Sequence, residues 1–202
     1  EAYKSEAYKF EERPVTTATN QTDSLLLQLA VALVNQPRAN LQELAKAVGV
    51  SKATLYRFCP TREEIIERLL DEATLTITRS LESCDLEHAP VEDAFKALIA
   101  SVLDSKELTQ FLIYHFRPEF LLESNPDRRW LDIQRVCDKF FLRCQQEGLL
   151  RIDISAAALN EIFFGIACSL VEAEHRGRVP RSGMAELIEQ MFLQGAAAPQ
   201  KN

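Results

Sequence analysis

A joint about three residues long, Gly49-Val50-Ser51, limits what this chain can become more than any other feature. On its N-terminal side, Asn40 and Glu43 have capping-box spacing, and Leu41, Leu44, Ala45 and Val48 share one helical face. Gly49 stops that helix, because glycine takes up the positive φ of a helix end at little cost. Ser51 can cap another helix at once. Two short helices joined this tightly are the pattern of a helix-turn-helix. Along the second of them Val50, Leu55 and Phe58 can face inward, and Lys52, Thr54, Tyr56 and Arg57 are left to point out. A further capping box, Thr61 with Glu64, opens a longer helix through Ile65, Ile66, Leu69, Leu70 and Ala73 toward Ser83.

The rest of the chain reads as helices too. An apolar run from Leu25 to Val34, broken only by Gln28, follows Thr22, Asp23 or Ser24 as candidate N-cap and ends before Pro37. Residues 1–21, with a repeated EAYK, Pro14 and a polar run, are expected to form a flexible arm, although Tyr3, Tyr8 and Phe10 would also suit a short docking helix. Downstream, helices are predicted over Val91 to Leu103, over Leu108 to Phe116, from an Asn125 cap and Pro126 to Gly148, from Ser155 to about Arg176, and from Ser182 to about Gly195. LLRIDI is the lone candidate for a strand, so the fold class is all-α. The expected organisation is a helix-turn-helix domain over 22–70 and a larger helical domain over 71–202.

Charge is distributed unevenly. Between Gln36 and Arg62, the five cations Arg38, Lys46, Lys52, Arg57 and Arg62 face the single carboxylate of Glu43, a net of +4. The whole chain carries −7, which leaves −11 elsewhere. An acidic protein with one basic module is expected to meet a polyanion there and not to coat it. Ser51 and the first amides of the second short helix can accept a phosphate, Lys52, Tyr56 and Arg57 can donate to others, and Thr54 is short enough to approach a base edge.

The letters LAKAVGVSKATLYRFCPTREEI resemble the DNA-binding signature of the TetR family of bacterial repressors. The likeness is close from Leu25 to about Leu70 and continues in layout beyond. It implies a three-helix reader, a connecting fourth helix and a larger ligand-binding and dimerisation domain, with operator DNA as partner. By that resemblance Ser51, Lys52, Thr54, Tyr56, Arg57 and Arg62 serve DNA binding, with Ser51 capping the reading helix and Arg62 reaching a phosphate. The family's usual glycine between helices one and two is missing here, the NQPRAN loop is about a residue shorter, and Cys59 stands where an aromatic is common. Segments such as CDLEHA, FRPEFL, FFLRCQQEG, RIDISAA and EQMFLQGA extend the likeness to a repressor of a multidrug efflux operon, which implies control of an efflux pump.

For the larger domain the resemblance implies a cavity for a hydrophobic small-molecule inducer. Phe95, Phe111, Tyr114, His115, Trp130, Cys137, Phe140 and Phe163 are its expected lining, an apolar wall with a few polar anchors. The helix from Ser155 is apolar on two sides, with Leu159, Phe163, Ile166 and Leu170 on one and Ile162, Ala167 and Val171 turned away. With Leu187, Ile188, Met191 and Phe192 it is expected to form a homodimer contact through the last two helices, which suits a palindromic operator read at about 34 Å spacing.

No serine, cysteine or carboxylate constellation points to catalysis, so an enzyme is not expected. The dispersed His88, His115 and His175 make no metal motif, and no cofactor is expected. The apolar run Ala156 to Val171 is too short to cross a bilayer, and no secretory signal opens the sequence, so a cytoplasmic protein without a membrane partner is expected. Five scattered cysteines without a CxxC pair fit reduced thiols there. They leave a thiol-based redox regulator open as an alternative, beside a helical adaptor with no inducer.

Overall fold

In a computed structural model of the chain, which describes residues 17–115 and 128–197, the short helices start at side chains that satisfy their first amides. Asn40 accepts from the amides of Gln42 and Glu43, and the Glu43 carboxylate accepts from the Asn40 amide at 2.8 Å, closing the capping box of α2 (Leu41–Ala47). Ser51 caps α3 (Lys52–Phe58) by accepting from the Thr54 amide, and Thr61 caps α4 (Arg62–Ser83) by accepting from the Glu64 amide. Such a cap is worth about 1 kcal/mol, which matters for helices of seven residues that lack length of their own. Gly49 between them sits at φ +71, a conformation that strains any residue with a Cβ.

Nine helices and no strand form among the described residues. Besides α2 to α4 these are α1 (Thr17–Asn35), α5 (Val91–Asp104), α6 (Lys106–His115), α7 (Arg128–Gln146), α8 (Ala156–His175) and α9 (Met184–Ala196). The protein is all-α, as the periodicity predicts. LLRIDI contributes only an isolated antiparallel bridge, Leu150 with Ala197.

Two apolar cores share this chain. One gathers Leu29, Leu33, Leu44, Leu55, Ile65 and Leu69 from α1 to α4, and it also takes Leu108 and Phe111 from α6 and Trp130 from α7. The other gathers Phe95, Phe140, Phe141, Phe163 and Phe192 with the aliphatic side chains around them. Each fully buried side chain of this size contributes about 1.5–3 kcal/mol through removal from water. Helix α4 runs from one core to the other, and α6 packs against both α1 and α8. The divide expected at residue 70 therefore falls inside a continuous helix. Arg143 of α7 ties down the segment after α4 by donating to the carbonyls of Leu86 and Ala89.

Some boundaries differ from those predicted. Helix α1 begins at Thr17, ahead of the expected caps at residues 22–24, so the last residues assigned to the arm are helical. The cap of α9 is Gly183 in the left-handed region, not Ser182. At 20 residues α8 is long and apolar enough to cross a membrane, contrary to the estimate from the run Ala156 to Val171, yet it packs against α6, α7 and α9. Leu159, Phe163, Ala167 and Val171 form its buried stripe. Ala167 and Val171 are therefore inward, not turned away, and Ile188 and Phe192 of α9 are consumed by their own protomer's core. The Asn125-Pro126 start, the end of the helix expected at Phe116, and Tyr3, Tyr8 and Phe10 lie outside the described residues.

Candidate nucleic-acid interface and ligand cavity

Helix α3 is amphipathic over two turns. Leu55 is fully buried and Phe58 half-buried, whereas Ser51, Lys52, Ala53, Tyr56 and Arg57 are exposed. The Lys52 ammonium lies 5.4 Å from the centre of the Tyr56 ring, one helical turn away, which steadies both side chains on the outer face. Tyr56 is 42% exposed, which leaves its hydroxyl open on the outer face. Together Lys52, Tyr56 and Arg57 present two cations and a hydroxyl donor within six residues.

Three expected contact residues have additional partners. The hydroxyl of Ser51 is held in the cap and also lies 2.8 Å from the Thr54 hydroxyl, which leaves the half-buried Thr54 chiefly its methyl group to offer. Arg62, expected to reach a phosphate, donates through Nη2 to the Pro37 carbonyl at 2.6 Å and pins the loop between α1 and α2 to the start of α4. One guanidinium donor of five is thereby spent. Ala53, exposed between Lys52 and Thr54, is a further candidate that the sequence does not flag, because a small apolar residue gives no periodic signal.

A cavity of about 290 Å³ opens where α4, α5, α6, α7 and α8 meet. Of the expected lining it contains Trp130 and Cys137. Phe95, Phe140 and Phe163 instead pack in the second core, Phe95 and Phe163 against each other and Phe192, and Phe140 against Phe141. Phe111 belongs to the first core, and His115 stacks on it at 4.6 Å between ring centres. Tyr114 points outward and donates to Glu172 Oε1 at 2.9 Å, a hydrogen bond that pushes its phenol pKa up. The wall is instead aliphatic and small-polar: Leu98, Ile113 and Ile133 with Ser101, Thr109, Gln134, Asn160 and Glu161, and Phe164 in place of its neighbour Phe163. One signal for it was in the sequence, since Asn160 and Glu161 interrupt the most apolar stretch of the chain.

The cavity touches both halves of the molecule. Trp130 lines it while belonging to the first core, and Ile77 and Ile133 pack against both cores. Burial disfavours the thiolate form of the cysteines. Burial, reinforced by the neighbouring Asp138, pushes Cys137 up to about 12, and burial raises Cys59, Cys84 and Cys168 as well. Because the thiolate is the reactive form, none of these supports the redox alternative. Among the described residues no group of three or more His, Cys, Asp or Glu is placed to hold a metal ion.

A helix-turn-helix with an exposed cationic face, joined by one continuous helix to a helical body, is the layout of a helix-turn-helix transcriptional regulator. The comparisons with known proteins agree. The chain is 44% identical over 186 residues to the HTH-type transcriptional regulator NfxB of Pseudomonas aeruginosa, covering 92% of this chain and all of that one. The HTH-type transcriptional repressor LfrR of Mycolicibacterium smegmatis is 28% identical over 98 residues, about half of each chain. Among solved structures, the ketosteroid regulator KstR2 of Mycobacterium tuberculosis superposes with a TM-score of 0.68 at 14% identity, over 89% of this chain and 97% of that one. LfrR from Mycobacterium smegmatis in complex with proflavine superposes with a TM-score of 0.66 at 21% identity, over 88% and 97%. No family model matches the chain. The chain belongs to the TetR family of transcriptional regulators.

Proposed function

We propose that the protein is a homodimeric repressor of a multidrug efflux operon, released from its operator by a hydrophobic molecule bound in the cavity. The observation that carries this reading is the continuity between cavity and reader: the cavity wall includes α6, which packs on α1, and α4, which is itself part of the reader. A molecule that fits better when α4 and α6 are spread disfavours the spacing of reading helices that the operator needs. Coupling of this kind requires only that ligand and operator prefer different conformers.

Lys52, Tyr56 and Arg57 serve as phosphate donors in this reading, Thr54 and Ala53 approach base edges, Ser51 fixes the helix start, and Arg62 keeps a donor for phosphate while holding Pro37. The dimer forms through α8 and α9. Ile162 at 47% and Met191 at 56% exposure, with Ile166, Leu170 and Leu187 half-buried, leave apolar surface on these helices that a second copy would cover.

A gel-shift assay with the DNA upstream of the regulated genes tests the reading. Tyr56→Ala with Arg57→Ala should weaken operator binding at least tenfold, in line with losing two phosphate contacts, and leave thermal stability nearly unchanged. Undiminished binding would remove α3 as the reader. Proflavine, the ligand in the LfrR complex, is a reasonable first compound to try for release.

A further inference from the structure

By backbone approach α3 belongs with α2, and its hold on α4 depends on side chains. Leu55 is the one fully buried side chain of α3, and it shares the first core with Ile65 and Leu69 of α4. A single buried side chain sets how near α3 lies to α4 without setting its tilt. The Ser51 cap orders the first turn but ties it to no other helix. At the far end Cys59, fully buried, and Pro60 turn the chain into the Thr61 cap of α4.

A second side-chain contact spans that junction. Phe58, the last residue of α3, is half-buried and packs against the first core. Over its ring lies the guanidinium of Arg68, which projects from α4 and places Cζ 4.8 Å from the ring centre. That lies inside the range of about 6 Å in which a guanidinium is drawn to the face of a ring. Arg68 is otherwise exposed.

We propose that Arg68 is a positioning residue for DNA reading: through Phe58 it holds the C-terminal end of α3 against α4, and so sets the tilt at which Lys52, Tyr56 and Arg57 meet the operator. Tyr56 and Arg57 immediately precede Phe58, so a tilt of this last turn displaces both. The inference rests on α3 being the reading helix. Arg68 is also a cation in a basic module, and a direct phosphate contact is the competing role. The two roles differ in what they affect. Correct tilt matters where side chains must match a base sequence, whereas a phosphate contact acts on any duplex.

Fluorescence anisotropy of the full chain with two DNAs separates them: the duplex that the natural chain enriches from a random-sequence pool, and the unselected pool itself. Arg68→Ala should weaken binding to the selected duplex about two- to fivefold, the factor by which an exposed cation–ring attraction biases the correct tilt. Binding to the pool, and the slope of log affinity against log salt, should not change. Arg68→Lys keeps a cation for the ring and should recover most of the loss. Phe58→Leu should cost about as much as Arg68→Ala, and the double variant no more than either, because the partner is already gone. Equal loss on both DNAs with a salt slope smaller by about one makes Arg68 a phosphate contact and overturns the proposal. So does full affinity of Arg68→Ala for the selected duplex, and so do losses from Arg68→Ala and Phe58→Leu that simply add. Tyr56→Ala with Arg57→Ala tells the two readings apart. If that variant loses the selected duplex while Arg68→Ala keeps it, α3 stays the reader and only the role of Arg68 falls; if it binds undiminished, α3 is not the reader and this inference falls with it.

Discussion

The reader and the helical body are held together at different ranges along the chain. In the reader the decisive polar contacts join residues three apart: Asn40 with Glu43, Ser51 with Thr54, Thr61 with Glu64. In the body the contacts that tie helices together join residues tens of positions apart, as when Phe95 packs on Phe163 and Phe192, or Arg143 donates to the Leu86 carbonyl. A local contact fixes one helix end, and its loss is felt there. A long-range aromatic contact fixes several helices at once, so its loss spreads. The difference suits the two tasks proposed for these regions, since a reading helix must be positioned but replaceable in its outer face, whereas a body that is to transmit strain must be closely packed.

The largest effect should come from the body. Phe163 is fully buried and has Phe95, Phe141, Phe164 and Phe192 with ring centres between 5.1 and 5.6 Å away. Phe163→Ala should cost about 3–5 kcal/mol in urea unfolding, a large fraction of a domain's whole stability. A loss below about 1 kcal/mol would mean that the cluster collapses onto the gap, and the contrast with the reader would disappear.

Alkaline pH gives a second handle on the body. Cys137 and Cys144 are both pushed from 9.0 up to about 12, chiefly by burial. In the unfolded chain these thiols ionise near their ordinary value, so their contribution is fully present below pH 9.0 and is lost as pH rises through the window toward 12. Each thiol should remove about 1.4 kcal/mol per pH unit within that window. Unfolding free energies measured across the window should fall more steeply for the natural chain than for Cys137→Ala with Cys144→Ala. Parallel slopes would show that water reaches these thiols.

In the reader, Asn40→Ala should cost only about 1 kcal/mol, since it removes one cap from one short helix. Hydrogen exchange should locate the change at the amides of Gln42 and Glu43 and spare the body. Protection lost in α5 or α8 would contradict the local character of the contact.

That same difference in range explains how much the sequence discloses. Capping boxes and the Gly49 stop are visible because they depend on residues a turn apart, so the short helices of the reader and their all-α setting could be derived. Arg62 could not be placed, because its bond to Pro37 spans 25 positions and depends on how the loop folds back. For the cavity, helical period tells which face is apolar but not whether that face meets another helix or an open space. Phe163 and Phe164 are adjacent and chemically identical, yet one is locked in the aromatic cluster and the other lines the cavity. The polar pair Asn160 and Glu161 was the better clue, since a buried amide in an apolar stripe requires a partner.

The smallest expected effect lies at the junction of the two halves. Arg129 of α7 pairs with Asp71 and, at 3.5 Å, with Glu67 on α4, and both carboxylates are more than 60% exposed. Exposed pairs of this kind contribute about 0–1 kcal/mol, because water already solvates the separated charges well. Arg129→Met should therefore destabilise the chain by less than about 1 kcal/mol at low salt. The difference should shrink at about 1 M salt, where the screening length falls to about 3 Å. A loss above about 2 kcal/mol, or one insensitive to salt, would mean that the junction is packed like the aromatic core. The proposed coupling between cavity and reader would then lack a compliant boundary.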